Sequence, residues 1–228
     1  MTFAELNDKI IACRKCQRLV EWREKIGVEK RKAFKDQEYW SKPVPGFGDE
    51  NAQVLVVGLA PGAHGSNRTG RQFTGDASGD FLFQALHRAG FASQPKSSSR
   101  GDGLTLQNAY IAPVCRCAPP QNKPLPAEIK LCQPFLEEEI YLLKPRIFVA
   151  LGRIAFDTLM RIFFIQPGYQ SMKDNSFVFS HNGIFPILND RWLVTSYHPS
   201  RQNTQTGRLT VNMFDETWSI TRRLLNQK

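Results

Sequence analysis

LVVGLAPGAHGSNRTGRQFTGDASGD, Leu55 to Asp80, opens as a short apolar run and passes directly into a long loop of glycines and small polar residues. A short apolar run bounded by Gly and Pro reads as a buried strand. Where such a strand ends in Gly58, Pro61, Gly62 and Gly65, backbone N–H groups are left at the carboxyl edge of a sheet, the place where open α/β folds bind ligands. The stretch therefore predicts an α/β fold with a site on this loop. It lacks the G-x-x-x-x-G-K-[ST] of a P-loop, and its glycines miss the G-x-G-x-x-G spacing, which argues against ATP and NAD. A loop that merely reverses the chain is the competing reading, but such connections usually take about 4 to 6 residues.

Outward from this loop, further apolar strands are expected at Gln53–Leu59, Ala109–Val114, Arg146–Leu151 and Trp192–Tyr197. Helical patterns fall between and after them, at Asp80–Ala89, Pro126–Leu143, Arg153–Phe164 and Asn212–Leu225. Alternation of this kind predicts a three-layer α/β/α sandwich with a central, mainly parallel four-stranded sheet, within one domain over residues 1–228. Residues 166–190 break the rhythm and have room for a hairpin before the last strand. The polar stretch Lys96–Gly103 reads as a loop, and its Arg-Gly-Asp as accidental.

The chain carries 30 Lys and Arg against 21 Asp and Glu, a formal charge of +9, which favours a polyanionic partner such as nucleic acid. No secretory or membrane-spanning run is apparent, so the expectation is a soluble, intracellular protein. In that setting the five cysteines should be thiols, and metal or redox chemistry is favoured over disulfides. Cys13 and Cys16 form a C-x-x-C; Cys115, Cys117 and Cys132 lie about a hundred residues on, with fourteen residues between the last two. A zinc ribbon would bring a second C-x-x-C. The spacing suits an iron-sulfur cluster on four thiolates better, with structural zinc as the alternative.

The segments GLAPGAHGSNRTGR and FTGDASGD resemble the first motif of the uracil-DNA glycosylase superfamily, and most closely its iron-sulfur family 5, or type B. Thr195–Thr210, TSYHPSRQNTQTGRLT, is similar to that family's second motif through His198, Pro199, Ser200, Asn203, Gln205, Thr206, Gly207, Arg208, Leu209 and Thr210. Arg116-Cys117-Ala118-Pro119-Pro120 resembles its R-C-x-P-P. The resemblance implies a 4Fe-4S cluster on Cys13, Cys16, Cys117 and Cys132, leaving Cys115 as a buried strand thiol. It also implies Asn122 as the carboxamide that reads the flipped base, His198 as donor to the departing base, and Asp76 of T-G-D as the catalytic carboxylate.

Asp80 is the competing carboxylate, although it also suits the start of the following helix. Phe73 is expected to stack under the base; Gly58, Ala60, Gly62 and His64 to line the loop; Ser200 and Arg208 to meet substrate and phosphate, with Arg201 as a second cation. His87 and His181 carry weaker cases, on a helix and near a turn. Glu38–Ala52 resembles a family segment that packs before the first strand.

Two departures matter. Leu59 stands where several related families place an acid or amide beside the first glycine, which favours type B. Gly62 stands where many type B members have Ala. The implied activity is hydrolysis of the N-glycosidic bond of uracil, with tolerance for hypoxanthine, in double-stranded DNA. A stricter uracil-specific iron-sulfur type and a non-catalytic iron-sulfur DNA-binding protein are the alternatives. A monomer acting in the cytoplasm, on the nucleoid when bound to DNA, is expected.

Overall fold

A computed structural model describes residues 1–164, 177–187 and 190–227. Four of its strands are those the apolar runs mark: β2 (Val54–Gly58), β3 (Ala109–Pro113), β4 (Ile147–Leu151) and β6 (Arg191–Ser196). Their apolar stretches are nearly continuous because both faces of the sheet are covered. Along β2, Leu55 and Val57 enter one core with α1 (Phe3–Ile11), α5 (Pro126–Leu143) and α6 (Arg153–Phe164). Val54 and Val56 enter the other, with α4 (Ala77–Arg88) and α8 (Val211–Asn226).

The sheet corrects the expected four strands to six: with β1 (Phe47–Gly48) and β5 (Ile184–Ile187) added, the order is β1-β3-β2-β4-β6-β5. The four inner strands are mutually parallel. The edges are antiparallel: β1 (Phe47–Gly48) on β3, and β5 (Ile184–Ile187) on β6. The sheet is therefore mixed. Within 166–190 the described residues hold one strand, β5, and it pairs with the last strand β6 rather than with a second strand of its own stretch; residues 166–176 and 188–189 of that stretch lie outside the described ones.

Strand order creates the site. From central β2 the chain passes through α4 on one face to β3, then through α5 on the other face across to β4. Connections that diverge to opposite faces open a crevice at the carboxyl ends of the strands. The loops after β2, β4 and β6 all leave from that edge. Before β2, helix α2 (Gln17–Glu29) follows the C-x-x-C, and the segment Tyr39–Pro45 runs across α3 (Ser66–Thr69), with Trp40 N donating to Arg68 O at 2.9 Å. Among the described residues no helix is long and apolar enough to cross a membrane.

Candidate active site

The loop after β2 folds against a single carboxylate. Asp76 is the N-cap of α4, one Oδ accepting from Gly79 N at 3.0 Å. The helix begins at Ala77, earlier than the sequence pattern suggested, so the capping role falls to Asp76; Asp80 is exposed in the first turn. The other Asp76 oxygen lies so close to the loop that a Cβ at Gly62 or Gly65 would stand 2.8 or 1.9 Å from it. Glycine at 65 is a steric necessity. Burial pushes the Asp76 carboxyl up, opposed by the N–H groups of Gly79 and Ser78.

Phe73 lies against the end of β2. Its ring edge would be 2.8 Å from a Cβ at Gly58, so only glycine at the strand end lets the ring lie against the backbone. The residue adopts φ +49°, a left-handed conformation rare for a bulky side chain. The His198 ring faces it at 5.9 Å between centroids and 29° between planes. His198 follows β6, its carbonyl accepting from Asn203 Nδ2 at 2.8 Å and its Cβ close over Gly152 at the end of β4. Burial lowers its pKa to about 4, so the imidazole is neutral and one ring nitrogen keeps a hydrogen to donate.

The other anticipated residues are distributed around this core. Ala60 packs on the α5–α6 side of the sheet. His64 Nδ1 shares a 3.0 Å hydrogen bond with Tyr39 Oη, and burial together with Arg31 and Arg68 lowers its pKa. Asn122 ends the 3-10 turn Pro120–Asn122 at φ +57°, exposed, on the segment leaving β3 next to the β2 loop. No hydrogen bond ties its carboxamide to Phe73, Asp76 or His198 among the described residues. Ser200 caps α7 (Arg201–Gln205), its hydroxyl accepting from Asn203 N at 3.3 Å. Arg208 is exposed, with its guanidinium 4.8 Å above the Tyr197 ring; Arg201 is exposed too.

Cys13, Cys16, Cys117 and Cys132 line one small cavity with Leu19, Val20 and Phe135. Arg23 Nη1 donates to Cys117 Sγ at 2.8 Å, and Arg116 N to Cys132 Sγ at 3.3 Å. The Nε atoms of Arg23 and Arg116 are buried without a partner among the described residues, the Arg116 guanidinium being paired with Glu139. Cys115 is fully buried in the core, its thiol against that of Cys132. Among the described residues no three His, Cys, Asp or Glu side chains converge on a single-ion site. Four thiols around one apolar cavity, two of them already accepting from N–H donors of Arg23 and Arg116, are a donor set that fits an iron-sulfur cluster.

Residues 45–222 match the model of the uracil DNA glycosylase superfamily. The chain belongs to this superfamily. A type-5 uracil-DNA glycosylase of Thermus thermophilus is 50% identical over 216 residues, 94% of each chain. One from Mycobacterium leprae is 47% identical over 222 residues, 96% of this chain and 94% of the relative. A type-4 uracil-DNA glycosylase of Pyrobaculum aerophilum is 38% identical, but over 126 residues, 55% of this chain and 57% of that one. Full-length similarity thus lies with the type-5 branch of the superfamily.

In this glycosylase the structure sets Phe73 between Gly58 and the His198 ring, and Asp76 against Gly62 and Gly65, while His64 pairs with Tyr39. It also adds residues that the motifs left unmarked. Tyr39 holds His64. Arg68 donates to His64 O at 2.7 Å, Gln37 Oε1 at 2.6 Å and Gly75 O at 2.8 Å, pinning both arms of the loop. His181, ranked low in the sequence, accepts from Tyr197 N at 3.2 Å through Nδ1 and therefore donates from Nε2 to Met213 O at 3.1 Å, bracing the backbone next to His198. Asp102, in the polar Lys96–Gly103 loop, forms a buried ion pair with Arg71. None of these pairings has a local sequence signal beyond residue type.

Proposed function

We propose that this glycosylase hydrolyses the N-glycosidic bond of uracil in double-stranded DNA, accepts other deaminated bases such as hypoxanthine, and so begins base excision repair. The reading rests on one observation above all. An aromatic ring lies against a glycine strand end, faces a neutral imidazole at 5.9 Å, and shares its loop with a carboxylate held against Gly62 and Gly65.

The chemistry follows from that arrangement. A nucleotide flipped out of the duplex stacks on Phe73, and the Asn122 carboxamide, able to donate and accept at once, reads its hydrogen-bonding edge. As the glycosidic bond lengthens, negative charge grows on the base and positive charge on the sugar. Neutral His198 donates to the base oxygen, an interaction that strengthens only as that charge develops. Asp76 faces the cationic sugar and orients the attacking water. Water adds to the sugar carbon, and its proton leaves with the base. Leu59 offers no polar group next to Gly58, so nothing there restricts the pocket to uracil.

Cys13, Cys16, Cys117 and Cys132 would hold a 4Fe-4S cluster. Bound there, it supplies a cross-link between the N-terminal helices and the segment after β3 that carries Asn122. A monomer suffices, because a duplex must reach the sheet edge, and the DNA substrate assigns the protein to the cytoplasm and its nucleoid.

Single-turnover reactions on labelled duplexes carrying one uracil or one hypoxanthine, developed with alkali, test the reading. Release of both bases is expected. Uracil alone would favour the stricter specificity of a type-4 enzyme. Release of neither, from a brown and folded preparation, would favour a non-catalytic DNA-binding protein.

A further inference from the structure

Phe73 holds an unfavourable backbone conformation, and such residues persist only where their surroundings over-determine them. Here the constraint comes from a loop to which the proposed reaction assigns no part. Arg71, 4% exposed, donates from both terminal nitrogens to the two oxygens of Asp102, at 2.8 and 2.7 Å. Its Nε donates to Thr74 Oγ1 at 2.9 Å, and Nη2 also to Ser97 Oγ at 2.9 Å. The Thr74 and Ser97 hydroxyls are 2.7 Å apart, and Ser97 O accepts from Gly75 N at 2.9 Å.

Asp102 in turn organises its own loop. It accepts from the N–H groups of Ser98 at 2.8 Å, Leu104 at 3.0 Å and Ser99 at 3.3 Å. Burial opposes its charge, yet Arg71 and these N–H groups hold it well below the usual carboxylate range. From the opposite side Gln72 Nε2 donates to Val44 O and Pro45 O at 3.0 and 3.2 Å. Both neighbours of Phe73, and Gly75 immediately before Asp76, are therefore tied to other parts of the chain.

We propose that the Arg71–Asp102 pair is a positioning device for the reaction: through Ser97, Thr74 and Gly75 it fixes the left-handed Phe73 and the Asp76 that follows, and it governs the rate of base release rather than duplex binding. The inference rests on the glycosylase reading above. Its physical basis is that an active-site group displaced by about 1 Å can lose about a hundredfold in rate without losing its contacts.

The test uses the full chain in single-turnover release of uracil from a duplex, with duplex affinity measured in parallel. Asp102→Asn keeps the shape and removes the charge. Release is expected to fall at least tenfold while affinity stays within twofold of the parent. If the pair acts through Asp76, Asp102→Asn added to Asp76→Asn should cost less than a further twofold, since groups acting as a unit are not additive. An unchanged rate in Asp102→Asn, or losses that multiply fully in the double variant, would overturn the proposal. Should Asp102→Asn fail to fold in thermal unfolding, Ser97→Ala decides: severalfold loss of rate at unchanged affinity supports the device, and an unchanged rate rejects it. If the unsubstituted protein itself releases no uracil, the glycosylase reading fails first.

Discussion

Gly58→Ala probes the base wall through a single methyl group. An ideal Cβ at this position stands 2.8 Å from both Cε2 and Cζ of Phe73. Carbon atoms settle at about 3.5 Å or more, so the ring must retreat by about 0.7 Å. It has little freedom to do so. Phe73 is buried, the His198 ring faces it at 5.9 Å, and its carbonyl oxygen is packed so closely on α4 that a Cβ at Gly79 would stand 1.8 Å away. Under the proposed reaction the displaced ring intrudes on the space for the base. A shift of this size is expected to slow base release by about 10- to 100-fold, roughly 1.4 to 2.8 kcal/mol. Overpacking should also cost about 1 to 3 kcal/mol of stability. Gly62→Ala is the matched comparison: its Cβ would meet the Asp76 Oδ2 atom at 2.8 Å and leave Phe73 untouched, so it probes the carboxylate instead of the ring. Single-turnover release of uracil and thermal unfolding measure both quantities. A Gly58→Ala protein that is well folded and releases uracil at the parental rate would refute Phe73 as the wall of the base site.

Three further outcomes are expected. Cys117→Ser or Cys13→Ser should strip the brown chromophore and the iron, whereas Cys115→Ala should keep both; iron analysis of the purified proteins decides, and equal loss in all three would contradict the ligand assignment. Burial holds His198 at about 4 against an ordinary 6.5, so the unfolded chain binds more protons between those values and stability should fall as pH falls through them. Asp76, with its raised pKa, works in the opposite direction; the pH dependence of Tm should therefore be compared between the parent and His198→Gln, which should be flatter over that window. Arg208→Ala should reduce the slope of log affinity against log salt by about 0.9 if this cation meets a phosphate, and an unchanged slope would place it away from the duplex.

The strands and helices that position the site were legible because each is a strong local pattern. β2 and β4 are apolar at every position, and α5 and α6 run over the spans their periodicity marks. The edge strands were not. β1 has two residues, and β5 alternates too weakly to stand out beside the irregular stretch before it. The start of α4 leaves little trace in the sequence because Ala77-Ser78-Gly79 has little helical signal; what begins the helix is the Asp76 cap. Motif residues such as Phe73, Asp76 and His198 were nameable, yet what holds them was not. Arg23 meets Cys117 across 94 positions, Arg71 meets Asp102 across 31, and Tyr39 meets His64 across 25. Pairings of this kind are set by tertiary packing and leave no period in the sequence.

Asp76→Asn tests the central claim most directly. The Asn side chain still caps α4 through its oxygen, so folding should be retained. What disappears is the charge that the proposed reaction sets against the sugar. Single-turnover release of uracil from a duplex should fall by about 10² to 10³, with duplex affinity unchanged. A variant that binds DNA normally and releases uracil at the parental rate would contradict the account.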